Sequence, residues 1–272
     1  MRKSEKEGEF MEFIDIHTHI YPDDIADKAS ASVRSFYGIG GEGNMDGTAG
    51  TLLRRGKEAG ISRFLILPVA IRPDRVQGIN DYIVKEREMH PEFVGFGTVH
   101  ARMEGLLEET ERILALGLKG VKMHPDSQRF AIDDPALFPM YDLLRGKIPV
   151  MLHMGDLRYE FSQPARLRRV LELFPGLQVI AAHFGGYSVY EEAFRQLRDQ
   201  DCVFDTSSSL MLIPREQAER YINSYGAERM AFGTDYPMWD PVEEMKRFDA
   251  LRLTGEQKEQ IASKTAKRVL QI

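Results

Sequence analysis

Eight short apolar runs recur along the 272 residues of this chain, and this repetition limits the folds that it can adopt. Several runs, such as FLILPVA and VIAAH, are almost continuously apolar, which is typical of strands that are covered on both faces. The predicted strands span residues 13–19, 63–70, 93–100, 118–124, 148–153, 177–183, 202–206 and 229–234.

Segments with a helical period lie between these runs. Residues 105–116 (GLLEETERILAL) and 164–174 (PARLRRVLELF) each place their apolar side chains on one helix face. Strands that alternate with helices predict right-handed βαβ units and a parallel sheet. Eight repeats in a chain of this length predict an α/β fold of the closed (β/α)8 TIM-barrel class, in a single domain. We expect residues 1–12 to be a charged tail that leads into the first strand, and residues 13–272 to form the barrel.

The composition and charge exclude several classes of protein. Hydrophobic residues make up 43% of the chain and charged residues 29%, and the net charge of −6 argues against nucleic-acid binding. Cys202 is the only cysteine, so neither an intrachain disulfide nor a cysteine-based zinc site can form. No run reaches the roughly 18 apolar residues that span a bilayer. We therefore expect a soluble, cytoplasmic protein that binds neither nucleic acid nor membranes.

The glycine-rich residues 38–47 (GIGGEGNMDG) follow the first predicted strand as a long loop. They leave two interpretations open: a cover for the mouth of the barrel, or an ordinary surface loop.

The positions of the histidines carry most of the chemical information. Six of the seven lie at or just beyond the predicted carboxyl end of a strand, and an aspartate follows the last strand in the same way: His17, His19, His100, His124, His153, His183 and Asp235. TIM-barrel enzymes have their active sites at the face where these strand ends meet. His17 and His19 are two residues apart on a strand, so their side chains point to the same side. Imidazole and carboxylate groups are ligands that zinc and similar ions prefer. The alternative is a ring of hydrogen-bonded histidines without a metal.

Five motifs resemble those of the amidohydrolase superfamily, and more closely its amidohydrolase-2 branch: FIDIHTHIYP, GVKMHPD, PVMLHMGD, VIAAHFGG and FGTDYPMWD. That branch includes metal-dependent hydrolases and decarboxylases of the aminocarboxymuconate-semialdehyde type. The motifs run in order from the first strand to the last, so the resemblance covers almost the whole chain.

The resemblance implies a role for each matching residue. The implied metal ligands are His17, His19, His153 and Asp235, and the implied acid/base residues are His183 and Asp235. One divalent ion is implied, with zinc first and manganese as the alternative. A second ion is less expected, because the lysine in GVKMHP, Lys122, is not a bridging ligand in this branch.

Four further residues are candidates for binding the substrate. His124 could bind a carboxylate or phosphate, or form a structural hydrogen bond. Arg158 and Arg72 could each hold a substrate carboxylate in the planar fork of the guanidinium, or form a surface ion pair. Trp239 could line the pocket or simply pack. An arginine that faces the open metal position would favour a decarboxylase.

The leading hypothesis is hydrolysis of an amide, lactone or ester bond in a small carboxylated molecule by water that a metal ion activates. The alternatives are a metal-dependent, non-oxidative carboxy-lyase that acts on an aromatic or unsaturated acid, a hydratase, and a barrel that binds a ligand without catalysis. The expected partner is a small molecule, and a homodimer remains open.

Overall fold

A computed structural model of the chain describes residues 2–3, 10–39 and 45–272. Residues 40–44 of the glycine-rich loop lie outside the described residues, so its two interpretations stay predictions. The same holds for residues 1 and 4–9 of the predicted tail. Within that tail, two short described segments pair as antiparallel strands, with Arg2 opposite Met11 and Lys3 opposite Phe10.

Every predicted apolar run contains a strand, and each strand is shorter than its run. The run at residues 93–100 is divided in two, because the strand is interrupted at Phe96. The described strands are β1 (Arg2–Lys3), β2 (Phe10–Met11), β3 (Ile14–Thr18), β4 (Arg63–Ile66), β5 (Phe93–Gly95), β6 (Gly97–Thr98), β7 (Val121–Met123), β8 (Val150–Leu152), β9 (Val179–Ala181), β10 (Val203–Asp205) and β11 (Met230–Ala231).

Helices follow most of the strands, and local signals set their ends. For example, the side chain of Thr48 accepts a hydrogen bond from the backbone of Thr51 and begins one helix, which left-handed Gly60 ends. The described α-helices are α1 (Ala26–Tyr37), α2 (Ala49–Ala59), α3 (Val76–Met89), α4 (Leu106–Ala115), α5 (Pro125–Gln128), α6 (Phe138–Leu144), α7 (Pro164–Leu173), α8 (Tyr190–Leu197), α9 (Ser209–Leu212), α10 (Arg215–Tyr225), α11 (Pro241–Asp249), α12 (Gly255–Glu259) and α13 (Thr265–Leu270), with a π-helical turn at Gln260–Lys264. None of the helices in the described ranges is long and apolar enough to cross a membrane.

The chain divides into two compact units, and the first comprises Met1–Ile66 and Thr206–Ala266. Here β3 pairs in parallel with β4, and its other edge is hydrogen-bonded to the segment after β11. The backbone N–H of Asp235 donates to the carbonyl of His17 over 2.8 Å, and that of His19 donates to the carbonyl of Tyr236 over 2.7 Å. Two of the predicted ligand positions are thereby held side by side.

The second unit comprises Leu67–Asp205 and Lys267–Ile272. Its strands β6, β7, β8, β9 and β10 are neighbours in that order and run parallel. Their apolar residues are buried; Val121 lies opposite Val150, which lies opposite Val179. Because neighbouring strands are parallel, their carboxyl ends share one edge of the sheet.

Candidate functional site

A buried carboxylate fixes the first strand to the segment that carries Asp235. One oxygen of Asp15, Oδ1, accepts hydrogen bonds from the backbone N–H groups of His17 and Thr234, each over 3.0 Å. The other, Oδ2, accepts from the Thr234 hydroxyl over 2.6 Å. Asp15 was not among the predicted site residues, although a signal was present: it lies two positions before His17 and so points to the same side of the strand.

Three of the four predicted metal ligands come together in the first unit. The Nε2 atoms of His17 and His19 each lie 3.5 Å from Oδ1 of Asp235. The side chain of His17 is buried, whereas those of His19 and Asp235 are 15% and 14% exposed, so the cluster is partly open to solvent. The Nδ1 atom of His17 is 2.9 Å from the hydroxyl of Ser207, which leaves Nε2 directed at Asp235.

A second serine links Asp235 to the only tryptophan. The indole N–H of Trp239 donates to the hydroxyl of Ser208 over 2.8 Å, and that hydroxyl donates to Oδ2 of Asp235. The structure thus places Trp239 as a neighbour of the carboxylate through Ser208. Its contact with a substrate stays a prediction.

In the second unit, three predicted histidines follow adjacent strands and meet at their carboxyl edge. The rings of His124 and His153 stack, with centroids 3.9 Å apart and planes 7° from parallel. Nε2 of His183 lies 3.0 Å from Nδ1 of His153. The backbone N–H of His183 donates to a carboxylate oxygen of Asp205 over 2.9 Å, which fixes the turn on which this histidine lies.

Asp126 joins this histidine cluster, although sequence analysis did not propose it as a site residue. Ligand atoms of His124, Asp126 and His153 lie within 4.8 Å of one another, close enough for a metal ion. Burial raises the pKa of Asp126 to about 7; the Ser162 hydroxyl, which donates to Oδ2 over 2.6 Å, opposes this rise. The other oxygen, Oδ1, is buried and makes no hydrogen bond within the described residues.

Both predicted substrate-binding arginines form carboxylate forks with neighbouring aspartates. Arg158 donates to Asp156 from Nε over 3.0 Å and from Nη2 over 2.6 Å. Arg72 donates to Asp74 in the same way, over 3.0 Å and 2.7 Å, and is 63% exposed. Both contacts match the second interpretation of these arginines, an ion pair with a neighbouring acidic residue. A contact of either arginine with a substrate stays a prediction.

Known proteins resemble this chain both in sequence and in fold. The model of a family described as Amidohydrolase matches residues 14–272. A relative from Dictyostelium discoideum, 2-amino-3-carboxymuconate-6-semialdehyde decarboxylase, is 25% identical in an alignment of 203 positions, and the match covers 60% of this chain and 56% of the relative. The match therefore spans a little over half the length of that relative.

Two solved structures resemble the chain over nearly its full length. An uncharacterized TIM-barrel protein from Bordetella bronchiseptica has a TM-score of 0.78 at 22% identity, over 96% of this chain and 98% of that one. A 5-carboxyvanillate decarboxylase from Novosphingobium aromaticivorans, solved with bound manganese and 3-methoxy-4-hydroxy-5-nitrobenzoic acid, has a TM-score of 0.75 at 15% identity, over 96% and 97%. At these identities the likeness shows the fold alone.

The comparisons confirm two of the predictions. The chain has the predicted α/β fold of the TIM-barrel class. The boundaries that separate residues 1–12 from residues 13–272 stay predictions. The family model covers almost all of the sequence, as did the five motifs, and the chain belongs to the amidohydrolase family.

Proposed function

We propose that this member of the amidohydrolase family is a metal-dependent, non-oxidative carboxy-lyase that acts on a small aromatic or unsaturated acid. The observation that carries the metal dependence is the approach of His17 and His19 to one oxygen of Asp235, at 3.5 Å each. Hydrolysis was the leading hypothesis from the sequence. We reverse that order because a curated relative and a similar structure are both named as decarboxylases.

The distances in the first unit fit a divalent ion. Two ligand atoms that each lie about 2.1 Å from one ion, at a tetrahedral angle, are about 3.4 Å apart. The separations of 3.5 Å between Asp235 and the two imidazoles are close to that value. The contact between Ser207 and Nδ1 of His17 also fits, because a histidine that binds a metal through one nitrogen usually has a hydrogen-bond partner at the other.

Two parts of the metal site remain predictions from the family resemblance. One is the fourth ligand, His153, and the other is the choice of zinc. Manganese is bound in the similar decarboxylase from Novosphingobium aromaticivorans, and the same set of nitrogen and oxygen ligands accepts either ion. We therefore propose one divalent ion, without a choice between the two metals.

The reaction consumes one proton. The bond between the substrate carbon and its carboxylate breaks, CO2 leaves, and the electron pair that stays on carbon takes up a proton. A divalent ion held by His17, His19 and Asp235 would draw electron density from substrate oxygens. The resemblance implies acid/base roles for His183 and Asp235, and we propose that His183 delivers the proton because Asp235 would hold the ion. The hydrogen bond from its backbone N–H to Asp205 holds the residue in place.

Elemental analysis and a substrate panel test the proposal. Wild type purified without added metal is expected to hold about one equivalent of a divalent ion, and the His17→Ala/His19→Ala double variant to hold none. The matched control is His90→Ala, because His90 lies at the end of α3 with its only described ion pair to Glu86. The wild type is then incubated with aromatic and unsaturated acids, and CO2 release is measured.

The same protein is also offered lactones, esters and amides. Release of CO2 from at least one acid, lost in the double variant and kept in His90→Ala, supports the lyase. Turnover of only the lactones, esters or amides would restore the hydrolase that sequence analysis ranked first. If wild type binds no divalent ion after incubation with zinc and manganese, both the metal-dependent lyase and the metal-dependent hydrolase are excluded.

A further inference from the structure

The hydroxyl of Tyr236 ties the segment after Asp235 to the segment that begins α2. It donates to the backbone carbonyl of Thr48 over 2.9 Å and to Oδ1 of Asp46 over 3.1 Å. Tyr236 is fully buried, so these contacts are shielded from water. All four residues belong to the first unit, and one side chain thus sets the distance between two segments of that unit.

Asp46 is held in place as the acceptor for this hydroxyl. Its Oδ1 also accepts from the backbone N–H and from the hydroxyl of Thr48, each over 2.9 Å, and its Oδ2 accepts from the hydroxyl of Thr51 over 2.7 Å. Although burial acts in the opposite direction, these bonds and the one from Tyr236 hold the pKa of Asp46 below its usual range. The carboxylate is therefore ionised at neutral pH, and a hydrogen bond to an ionised acceptor is stronger than one between neutral groups.

Gly47 packs the same segment closely against the residues that follow β3. It lies between Asp46 and Thr48 with φ 83°, and its carbonyl accepts from the backbone N–H of Tyr21 over 2.9 Å. A Cβ at this position would overlap the hydroxyl of Ser30 and would lie 2.9 Å from a ring carbon of Tyr21. Glycine is therefore needed for this close approach, which keeps the Asp46 carboxylate in a fixed place.

The backbone of Tyr236 joins the two proposed metal ligands that are partly exposed. Its carbonyl accepts from the N–H of His19 over 2.7 Å, and the residue pairs with Thr18 in an isolated parallel bridge. Asp235 precedes it in the chain. A displacement of Tyr236 would therefore move the backbone at both His19 and Asp235.

The backbone of Asp235 requires support from its neighbours. Its φ is 63°, in the left-handed region that a residue with a Cβ adopts only at a cost. Strain of this kind persists where the surrounding contacts hold the residue, and it is concentrated at functional sites. The Asp15 carboxylate holds the preceding residue, Thr234, and the hydroxyl of Tyr236 holds the following one. Loss of the second contact would let this backbone relax, and the Asp235 carboxylate would move relative to the imidazoles.

We propose that Asp46 and Tyr236 are positioning residues for the metal ion. The Tyr236 hydroxyl, held by the Asp46 carboxylate, keeps Oδ1 of Asp235 and Nε2 of His19 at the 3.5 Å separation that suits one ion. The inference rests on the metal dependence in the proposed function. It gives a role to a carboxylate that binds no ion itself and that acts through the tyrosine. Residues that orient metal ligands from outside the ligand shell contribute substantially to metal affinity.

Equilibrium dialysis against zinc and against manganese tests the positioning role. Tyr236→Phe removes only the hydroxyl and is expected to weaken the binding of both ions about tenfold. Asp46→Asn is expected to weaken binding by less, because the carbonyl of Thr48 still accepts from Tyr236. The Tyr236→Phe/Asp46→Asn double variant should bind no more weakly than Tyr236→Phe alone, because both substitutions act on the same contact.

Tyr141→Phe is the matched control. Tyr141 is also a fully buried tyrosine, and its hydroxyl donates to a backbone carbonyl, that of Ile132, over 2.7 Å. Both phenylalanine variants are expected to lose similar stability in thermal melts. Only Tyr236→Phe should weaken metal binding and change the visible absorption spectrum of bound Co²⁺, which reports the geometry of the ligands.

The outcomes separate this proposal from the proposed function. Equal metal affinities in wild type and Tyr236→Phe would overturn the positioning role and leave the proposed function standing. Equal losses of affinity in Tyr236→Phe and Tyr141→Phe would also overturn it, because the effect would then follow from stability alone. If Tyr236→Phe alone binds metal weakly but wild type decarboxylates no acid, the positioning role stands and the lyase falls.

Two results bear on Asp46. Losses that add in the double variant would show that Asp46 does not act through Tyr236, and would overturn its part of the proposal. If Tyr236→Phe does not fold, Asp46→Asn decides: a weaker affinity with a changed Co²⁺ spectrum supports the positioning role, and an unchanged affinity overturns it.

Discussion

Glu244 on α11 is a buried carboxyl group whose protonation should make the stability of the fold depend on pH. Its side chain is fully covered, and only Oε1 has a described hydrogen-bond partner, Arg247, over 2.6 Å. Burial, with a smaller contribution from the charges of Asp235 and Asp15, raises the pKa of Glu244 to about 8 despite the opposing effect of Arg247. At neutral pH the folded protein should therefore keep this proton.

The sign and size of the effect follow from linkage. The unfolded chain releases the proton above its ordinary pKa of 4.5, whereas the folded chain holds it until about pH 8. Stability is therefore full below pH 4.5 and falls as the pH rises toward 8. Each pH unit in that window is worth about 1.4 kcal/mol. Between pH 5 and pH 7.5, wild type should lose about 3 kcal/mol through this one group.

Glu244→Gln removes the titration and keeps an oxygen for Arg247 to contact. Relative to wild type, the variant should be nearly neutral at pH 5 and more stable by about 3 kcal/mol at pH 7.5. Thermal melts at both values measure the difference, since 1 kcal/mol moves the melting temperature by about 2–4 °C in domains of 150–250 residues. Glu243→Gln is the control, because its carboxylate is half exposed on the same helix.

A variant that loses stability equally at both pH values would refute the reasoning. That result would mean that Glu244 is ionised in the folded protein and that its ion pair with Arg247 outweighs the cost of burial.

Three further predictions concern single side chains. Ser208→Ala removes a hydrogen bond to Asp235, a proposed metal ligand, and should weaken metal binding about 10–100-fold by equilibrium dialysis. Ser62 donates to the carbonyl of Phe13, before the start of β3, so Ser62→Ala should leave metal binding unchanged. Asp15→Asn replaces the buried carboxylate with an amide, which can accept fewer of the three hydrogen bonds that Asp15 receives. The free energy of unfolding in urea melts should fall by about 1–3 kcal/mol, and an unchanged midpoint would contradict a stabilising role for this carboxylate. Gly56→Ala would put a Cβ 2.1 Å from the buried ring of Phe64 and should lower the free energy of unfolding by about 1–3 kcal/mol. Gly50→Ala on the same helix meets no atom within 4 Å and should be neutral or stabilising by up to about 1 kcal/mol. Equal melting temperatures for the two variants would show that the ring can move.

Strand order and the histidine positions could be predicted because their signals are local. An apolar run such as that around Val150 fits a strand covered on both faces, and the polar residue that ends it, His153, comes directly after the strand. The interruption at Phe96 was not predicted, because the run around it is apolar on both sides of the break. Hydrophobicity alone does not report where hydrogen bonding between strands stops.

The partners of the polar residues were harder to predict. Arg72 and Arg158 each form an ion pair with an aspartate two residues away. These pairs could be expected from the sequence, but the sequence did not decide between an ion pair and a substrate contact. The chain from Trp239 through Ser208 to a carboxylate joins segments 31 residues apart. Such contacts depend on how the loops after different strands meet, and no periodic pattern encodes that.

The hydrogen bonds to the Asp15 carboxylate also have a consequence for the order in which the protein folds during synthesis. Its partner Thr234 lies 219 residues further along the chain. During translation, Asp15 on β3 cannot form its hydrogen bonds with Thr234 until most of the polypeptide has been made. The side chains of His17 and His19 therefore acquire their carboxylate neighbour only late in translation, and a nascent chain that stops before residue 235 lacks one of the proposed metal ligands.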